Sequence, residues 1–268
     1  MITVLGSSGF IGSHIVKTLA ATNVSFYAPN RTDDLRNKDL GDVIYCIGMT
    51  ADFRKKPFET VDAHIGFLQN ILKNCQFNSI TYLSSSRVYI HNKEQEVTES
   101  DSVLINANDP DDLYNLTKLT GERLCLSSNK KSKIARISNV FSPATISNSF
   151  LLSIISEITA TGKLTLYMDP ASSKDYILID DIVSLLIQLA TDDEQGIYNL
   201  SSGINTSVNE IISEIKKYIP NFATVNADGK PIVFPRISNK KITAKFNYKP
   251  QSLIQFIPQL LKYHSKNV

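Results

Sequence analysis

The sequence predicts an α/β fold, a doubly wound parallel sheet with a small C-terminal α/β lobe. Three observations lead to it. Short apolar runs alternate with helix-period segments through the first half of the chain. A glycine-rich turn, Gly6 to Gly12, joins the first apolar run to the first helical segment. The chain has 268 residues, 42% hydrophobic and 20% charged, enough for one large core or a main core with a smaller lobe.

The strands expected are Ile2 to Leu5, Val24 to Ala28, Asp42 to Ile47, Ser79 to Ser84, Lys133 to Ile137 and Ile197 to Leu200. Between them, Gly12 to Ala21, Phe58 to Asn74 and Asp111 to Ser127 carry apolar residues at spacings of three and four, the pattern of a helix with one buried stripe. Asp111 or Asp112 is placed to cap the last of these. Ser142 to Ser149, rich in Ser, Thr and Asn, reads as a loop into the second lobe.

Composition narrows the partners. Twenty-eight Lys and Arg against 26 Asp and Glu leave a formal charge of +2, too little for a nucleic-acid footprint. No apolar run approaches the roughly 18 residues of a membrane span, and the N-terminus has no leader pattern. The three cysteines, Cys46, Cys75 and Cys125, are odd in number and sit among apolar residues, as free thiols do, and no metal-ligand spacing stands out. The expectation is a cytoplasmic protein without a metal.

The turn itself points to a ligand. In Gly6-Ser7-Ser8-Gly9-Phe10-Ile11-Gly12 the glycines permit a tight bend and a close backbone approach, and the helix that follows presents unpaired N–H groups to an anion. The expected cofactor is a dinucleotide, NAD(P), held by Gly6, Ser8, Gly9, Phe10, Ile11 and Gly12 in a Rossmann-type arrangement. Where an acidic residue would meet the ribose of NAD, Asn30 and Arg31 stand instead, which favours the 2′-phosphate of NADP slightly. The ordinary alternative for Arg31 is a solvated loop side chain.

Tyr114 and Lys118 are four residues apart and share one helix face. An ammonium beside a phenol favours the phenolate, a usable base. Ser85 ends the fourth strand at the sheet's carboxyl edge, where open α/β sheets bind ligands. Spacing alone leaves a solvated helix face as the alternative; joined to the glycine turn, Ser85, Tyr114 and Lys118 become the candidate catalytic set, with Tyr114 and Lys118 also touching the cofactor.

With the glycine turn, Leu83-Ser84-Ser85-Ser86-Arg87-Val88-Tyr89 and Tyr114 to Lys118, the chain resembles the extended short-chain dehydrogenase/reductases, the nucleotide-sugar epimerase/dehydratase family. Arg136 to Phe141, Lys174-Asp175-Tyr176 with Asp180-Asp181, Gly196 to Leu200 and Asn247 to Pro250 extend the likeness over nearly the whole chain. The resemblance implies a nucleoside-diphosphate sugar, and Ser85 as the catalytic hydroxyl, with Ser86 as the near alternative and a substrate contact. It also implies contacts from Asn139, Lys174 and Arg236 to the ligand, and a homodimer built on the helices near Phe58 to Asn74 and Tyr114. It divides the chain into a dinucleotide-binding part, 1–142 plus roughly 175–205, and a substrate lobe, 143–174 and 206–268, with polysaccharide-precursor synthesis as the setting.

There are departures. Between Ala28 and Asp42 there is no room for the extra helix and strand of most relatives, so an edge strand is missing. Ala63 replaces a common Asn, beside His64, a residue type more often packed in a helix than catalytic. Ser86-Arg87 stand where 4,6-dehydratases carry an acidic pair, which ranks dehydration last. The expected reaction is 4-epimerisation through a transient keto-sugar, with NADPH-dependent reduction of a 4-keto-sugar as the alternative, and a catalytically silent NADP-binding regulator as the reading from another class.

Overall fold

The computed structural model describes residues 1–50, 52–144, 150–226 and 230–265. In chain order the first half contains β1 (Ile2–Leu5), α1 (Phe10–Ala21), β2 (Phe26–Tyr27), β3 (Asp42–Tyr45), α2 (Pro57–Val61), α3 (Phe67–Asn74), β4 (Ser79–Ser85), β5 (Glu96–Val97), α4 (Asp112–Ser127) and β6 (Lys131–Ile137). The second half contains β7 (Asn139–Phe141), α5 (Phe150–Thr161), β8 (Lys163–Leu166), β9 (Ser173–Leu178), α6 (Ile179–Thr191), β10 (Gly196–Leu200), β11 (Asn205–Ser207), α7 (Val208–Lys216), β12 (Ala223–Asn226), β13 (Arg236–Ile237), α8 (Lys240–Phe246) and α9 (Ile257–Ser265). The expected loop at Ser142 to Ser149 falls largely on residues 145–149, outside the described residues.

Six strands form one parallel sheet in the order β10-β6-β4-β3-β1-β2, the doubly wound Rossmann arrangement. β1, the run Ile-Thr-Val-Leu, is buried at every position because helices cover both faces. On one face Ile15 and Leu19 of α1 meet Ile182 and Leu186 of α6 over Val4 and Ile44. On the other, Leu68 and Ile71 of α3 and Cys125 of α4 cover Val43, Tyr45 and Tyr82. Each fully buried Leu or Ile contributes about 1.5–3 kcal/mol.

β2 is one edge of the sheet, as the short Ala28–Asp42 connection implies, and it is only two residues long, with β10 at the opposite edge. Asn23, in the left-handed region at φ 56°, and exposed Val24 turn the chain before the strand begins. A second core, with Phe141, Leu151, Ile155, Leu164, Ile211, Ile215, Ile257 and Leu260, joins α5, α7 and α9 to β8. Ser207 and Glu210 close a capping box at the start of α7, satisfying amides that the helix cannot. Among the described residues no helix is long and apolar enough to cross a membrane.

Two features set where α4 lies. Gly121 faces Tyr82, and any Cβ there would collide with the phenol, so the helix packs directly on β4. Below it, Arg136 and Glu122, 5% and 4% exposed, form a buried two-bond pair, Nε to Oε1 at 3.0 Å and Nη2 to Oε2 at 2.7 Å. Arg136 also donates to Tyr89 Oη at 2.7 Å, and Tyr89 donates to Asn199 Oδ1 at 2.9 Å. This buried network ties α4 to β6, β10 and the segment after β4.

Candidate active site

The glycine turn leaves β1 at Gly6, whose φ of +85° and 3.0 Å Cβ approach to Ile47 N admit only glycine comfortably. A Cβ on Gly12 would run into the Gly6 carbonyl oxygen, so turn and helix meet backbone to backbone. Gly9, the N-cap of α1, brings no side chain to its first amides, and the first backbone bond of the helix is Ser13 N–H to Gly9 at 2.9 Å. Phe10, Ile11 and Gly12 therefore start a helix with uncapped N–H groups, while Ser8 and Gly9 are open to solvent. These residues fit a dinucleotide pyrophosphate.

Asn30 and Arg31 are both exposed after β2. The Asn30 N–H donates to Asp33 Oδ2 at 3.0 Å, and Tyr27 donates to the same oxygen at 3.3 Å. An acidic group thus does stand beyond the second strand, three residues later than the position where sequence reasoning looked for one.

Ser85, Tyr114 and Lys118 come together. Ser85 ends β4 and accepts from the Arg87 N–H at 3.2 Å, capping the one-turn 3-10 helix Ser86–Tyr89. The Tyr114 phenol lies within hydrogen-bonding reach of the Ser85 and Thr50 hydroxyls. Burial raises its pKa, and those two hydroxyls and the Arg87 charge oppose the rise. Lys118 donates to the Leu83 carbonyl at 2.8 Å, and its Nζ is 5.9 Å from the Tyr114 ring centre. Burial brings this amine down to about 7, with Glu122 opposing. Ser86 is almost fully buried, so Ser85 is the hydroxyl of the two that remains partly open.

His64 is the unexpected neighbour. The expected helix Phe58 to Asn74 forms as α2, a π-helical turn at Asp62–Gly66 and α3, and His64 lies in that turn. It is fully buried, its ring edge-on to Tyr114 at 5.4 Å. Nε2 accepts from the Met49 N–H at 3.1 Å, which assigns the proton to Nδ1, donating to Thr117 Oγ1 at 2.8 Å. Burial, then the Lys118 charge, depresses its pKa to about 2, so the ring is a neutral wedge between the 48–50 loop and α4.

The start of α4 is held differently from the expected cap. Neither Asp111 nor Asp112 bonds the helix amides through its side chain; Asp111 pairs with Arg54 and, at 3.2 Å, with Arg87. Asp112 accepts from Asn106 N at 2.6 Å and from His91 Nε2 at 2.9 Å, while Asp109 accepts the Asp111 N–H at 2.9 Å. The turn before the helix thus draws on all three carboxylates.

Of the ligand candidates, Lys174 sits 5.1 Å over the Phe150 ring and 5.8 Å from Tyr176, its pKa lowered by burial and then by Arg87. Asn139 donates to the Asp175 carbonyl at 2.9 Å, stitching β7 to β9. Arg236 is engaged by Glu96 at 3.0 Å across the β5–β13 ladder and does not join the Tyr114 cluster. Sequence reasoning passed over Thr50, Phe53 and Arg87. Phe53 lies 5.2 Å from the Tyr114 ring. For Arg87 the signal was adjacency to the serine run.

A model of the NAD dependent epimerase/dehydratase family matches residues 2–201. The chain belongs to that family. An uncharacterized epimerase/dehydratase of Staphylococcus aureus is 23% identical over 197 residues, covering 69% of this chain and 60% of that protein. The epimerase/dehydratase chain thus spans about 60% of the length of the curated relatives it matches. Among solved structures it is similar to UDP-glucuronic acid 4-epimerase from Bacillus cereus in complex with UDP-glucuronic acid and NAD, with TM-score 0.79, 20% identity, and coverage of 100% of this chain and 99% of that one. It is also similar to RMD from Pseudomonas aeruginosa complexed with NADPH, with TM-score 0.78, 20% identity, and coverage of 100% and 99%. At such identities these likenesses establish the fold that the epimerase/dehydratase chain shares with them.

Proposed function

We propose that the protein catalyses 4-epimerisation of a nucleoside-diphosphate sugar through a transient keto-sugar. The observation that carries this reading is the buried Tyr114 phenol, whose charged form the Ser85 and Thr50 hydroxyls favour, with the Lys118 amine 5.9 Å from its ring on the same helix face. A dinucleotide bound at the glycine turn would supply a hydride acceptor and donor. Ser85 holds the sugar 4-oxygen, and Tyr114 takes the hydroxyl proton as hydride leaves carbon 4. Once the keto-sugar has turned, Tyr114 returns the proton and the hydride returns to the opposite face, leaving no net oxidation. The lobe built on the second core is the place for the nucleotide. The Bacillus cereus epimerase, solved with a UDP-sugar and NAD, supports the substrate class.

Reduction of a 4-keto-sugar is favoured by one observation, exposed Arg31, which suits a 2′-phosphate. The preference for NADP is slight because the Asp33 carboxylate close by opposes that phosphate. The test is to denature the purified protein, identify any released nucleotide by mass spectrometry, and follow UDP-glucose and UDP-glucuronate by NMR. Retained dinucleotide and a growing 4-epimer are expected; an empty site with NADPH consumption by a 4-keto-sugar would replace epimerisation by reduction.

A homodimer accompanies this reading. Phe58, Val61 and Leu116, 81%, 36% and 42% exposed, stand on α2 and α4 as apolar side chains open to solvent. Light scattering is expected to give twice the chain mass, and a monomer mass at micromolar concentration would remove the dimer.

A further inference from the structure

The epimerisation reading leaves one cation beside the reacting centre without a role. Arg87 is two residues from Ser85, in the 3-10 turn that Ser85 caps, and its charge reaches the Tyr114 phenol. Its one ion pair among the described residues is to Asp111, at 3.2 Å, and that carboxylate is already held by Arg54 through both oxygens. Two guanidinium groups therefore share one carboxylate. About a quarter of the Arg87 side chain reaches solvent, and its Nε is buried with no hydrogen-bond partner among the described residues.

A second cation adds to this. The Lys174 and Arg87 charges oppose each other, and the Lys174 ammonium stands by two aromatic rings, Phe150 and Tyr176. No ion pair to Lys174 occurs among the described residues. A cluster of this kind, under-neutralised and partly desolvated, favours an anion, and the planar guanidinium fork matches a carboxylate.

We propose that Arg87 receives an acid group carried on the sugar ring itself, so that the substrate is a nucleoside-diphosphate uronic acid. This rests on the nucleotide-sugar reading above. The reasoning is stereochemical. The Ser85 and Tyr114 hydroxyls locate the reacting 4-oxygen, and on a pyranose the substituents flanking it are the 3-hydroxyl and carbon 6, of which only carbon 6 can be oxidised to an acid. The diphosphate, attached at carbon 1, lies across the ring. A cation beside Tyr114 therefore meets the oxidised carbon 6 of a uronic acid before it meets the diphosphate.

The test titrates UDP, UDP-glucose and UDP-glucuronate into the NAD-loaded protein and its Arg87→Met and Arg87→Lys variants by calorimetry. The wild type is expected to bind UDP-glucuronate at least about tenfold more tightly than UDP-glucose. The ratio should fall towards one in Arg87→Met and lie between in Arg87→Lys, with UDP bound alike by all three proteins. Equal affinity of the wild type for both sugars overturns the inference whether or not the variants fold. A parallel loss of UDP affinity in Arg87→Met also overturns it, assigning Arg87 to the diphosphate. Failure of the wild type to bind any of the three ligands counts against the nucleotide-sugar reading itself.

Discussion

Tyr114→Phe is expected to lower kcat by about 10²–10⁴-fold, because it removes the one group placed to move the hydroxyl proton. The fold should tolerate the change: the ring keeps its packing against Phe53 and His64, at 5.2 and 5.4 Å, and only the oxygen is lost. Dinucleotide affinity is expected to stay within a fewfold, since the glycine turn is untouched. Steady-state kinetics with the preferred UDP-sugar, alongside circular dichroism, provides the check. A variant retaining more than about a tenth of the activity would take the proton-transfer role away from Tyr114.

The second large effect concerns stability. Burial works against the charge on Arg136, yet the Glu122 carboxylate beside it keeps the guanidinium's pKa above its ordinary value. Arg136→Met removes the cation and leaves Glu122 buried without its partner, which costs about 3–5 kcal/mol. In a chain of this size that corresponds to a fall in Tm of roughly 10 °C. Adding Glu122→Gln should recover much of the loss, because a neutral amide is far cheaper to bury than an unpaired carboxylate. A double variant no more stable than Arg136→Met would mean that the pair is not what the first substitution disrupts.

The central sheet was legible because its strands carry short apolar runs between helix-period segments. Ile2–Leu5 has the bounds its hydrophobicity implies, and β4, β6 and β10 depart from expectation by one or two residues. The small ladders were not, since two-residue β5 owes its existence to Arg236–Ile237, about 140 residues away, and local sequence carries no trace of such a partner. The π-turn at Asp62–Gly66 has no compositional mark either; it arises where His64 is drawn between Met49 and Thr117.

The candidate site divides in the same way. Ser85, Tyr114 and Lys118 could be brought together on paper because a strand end and a helix face are regular objects. Thr50 and Phe53 come from irregular backbone and Arg87 from a single 3-10 turn, whose courses depend on tertiary packing. The acidic caps illustrate the limit: Asp111 sits at the N-cap position, but two nearby guanidinium groups outbid the helix amides for its oxygens.

The brevity of β2 has a consequence for how copies of the chain meet. An open sheet ends in a row of unpaired backbone groups that invites a strand from another molecule, and long flat rims are where fibrils begin. Here the rim is two residues long, and Pro29 follows it closely with no N–H to offer. Lys38, Asp33 and Asp34 surround it with charge. Edge-to-edge growth through β2 is thereby blunted.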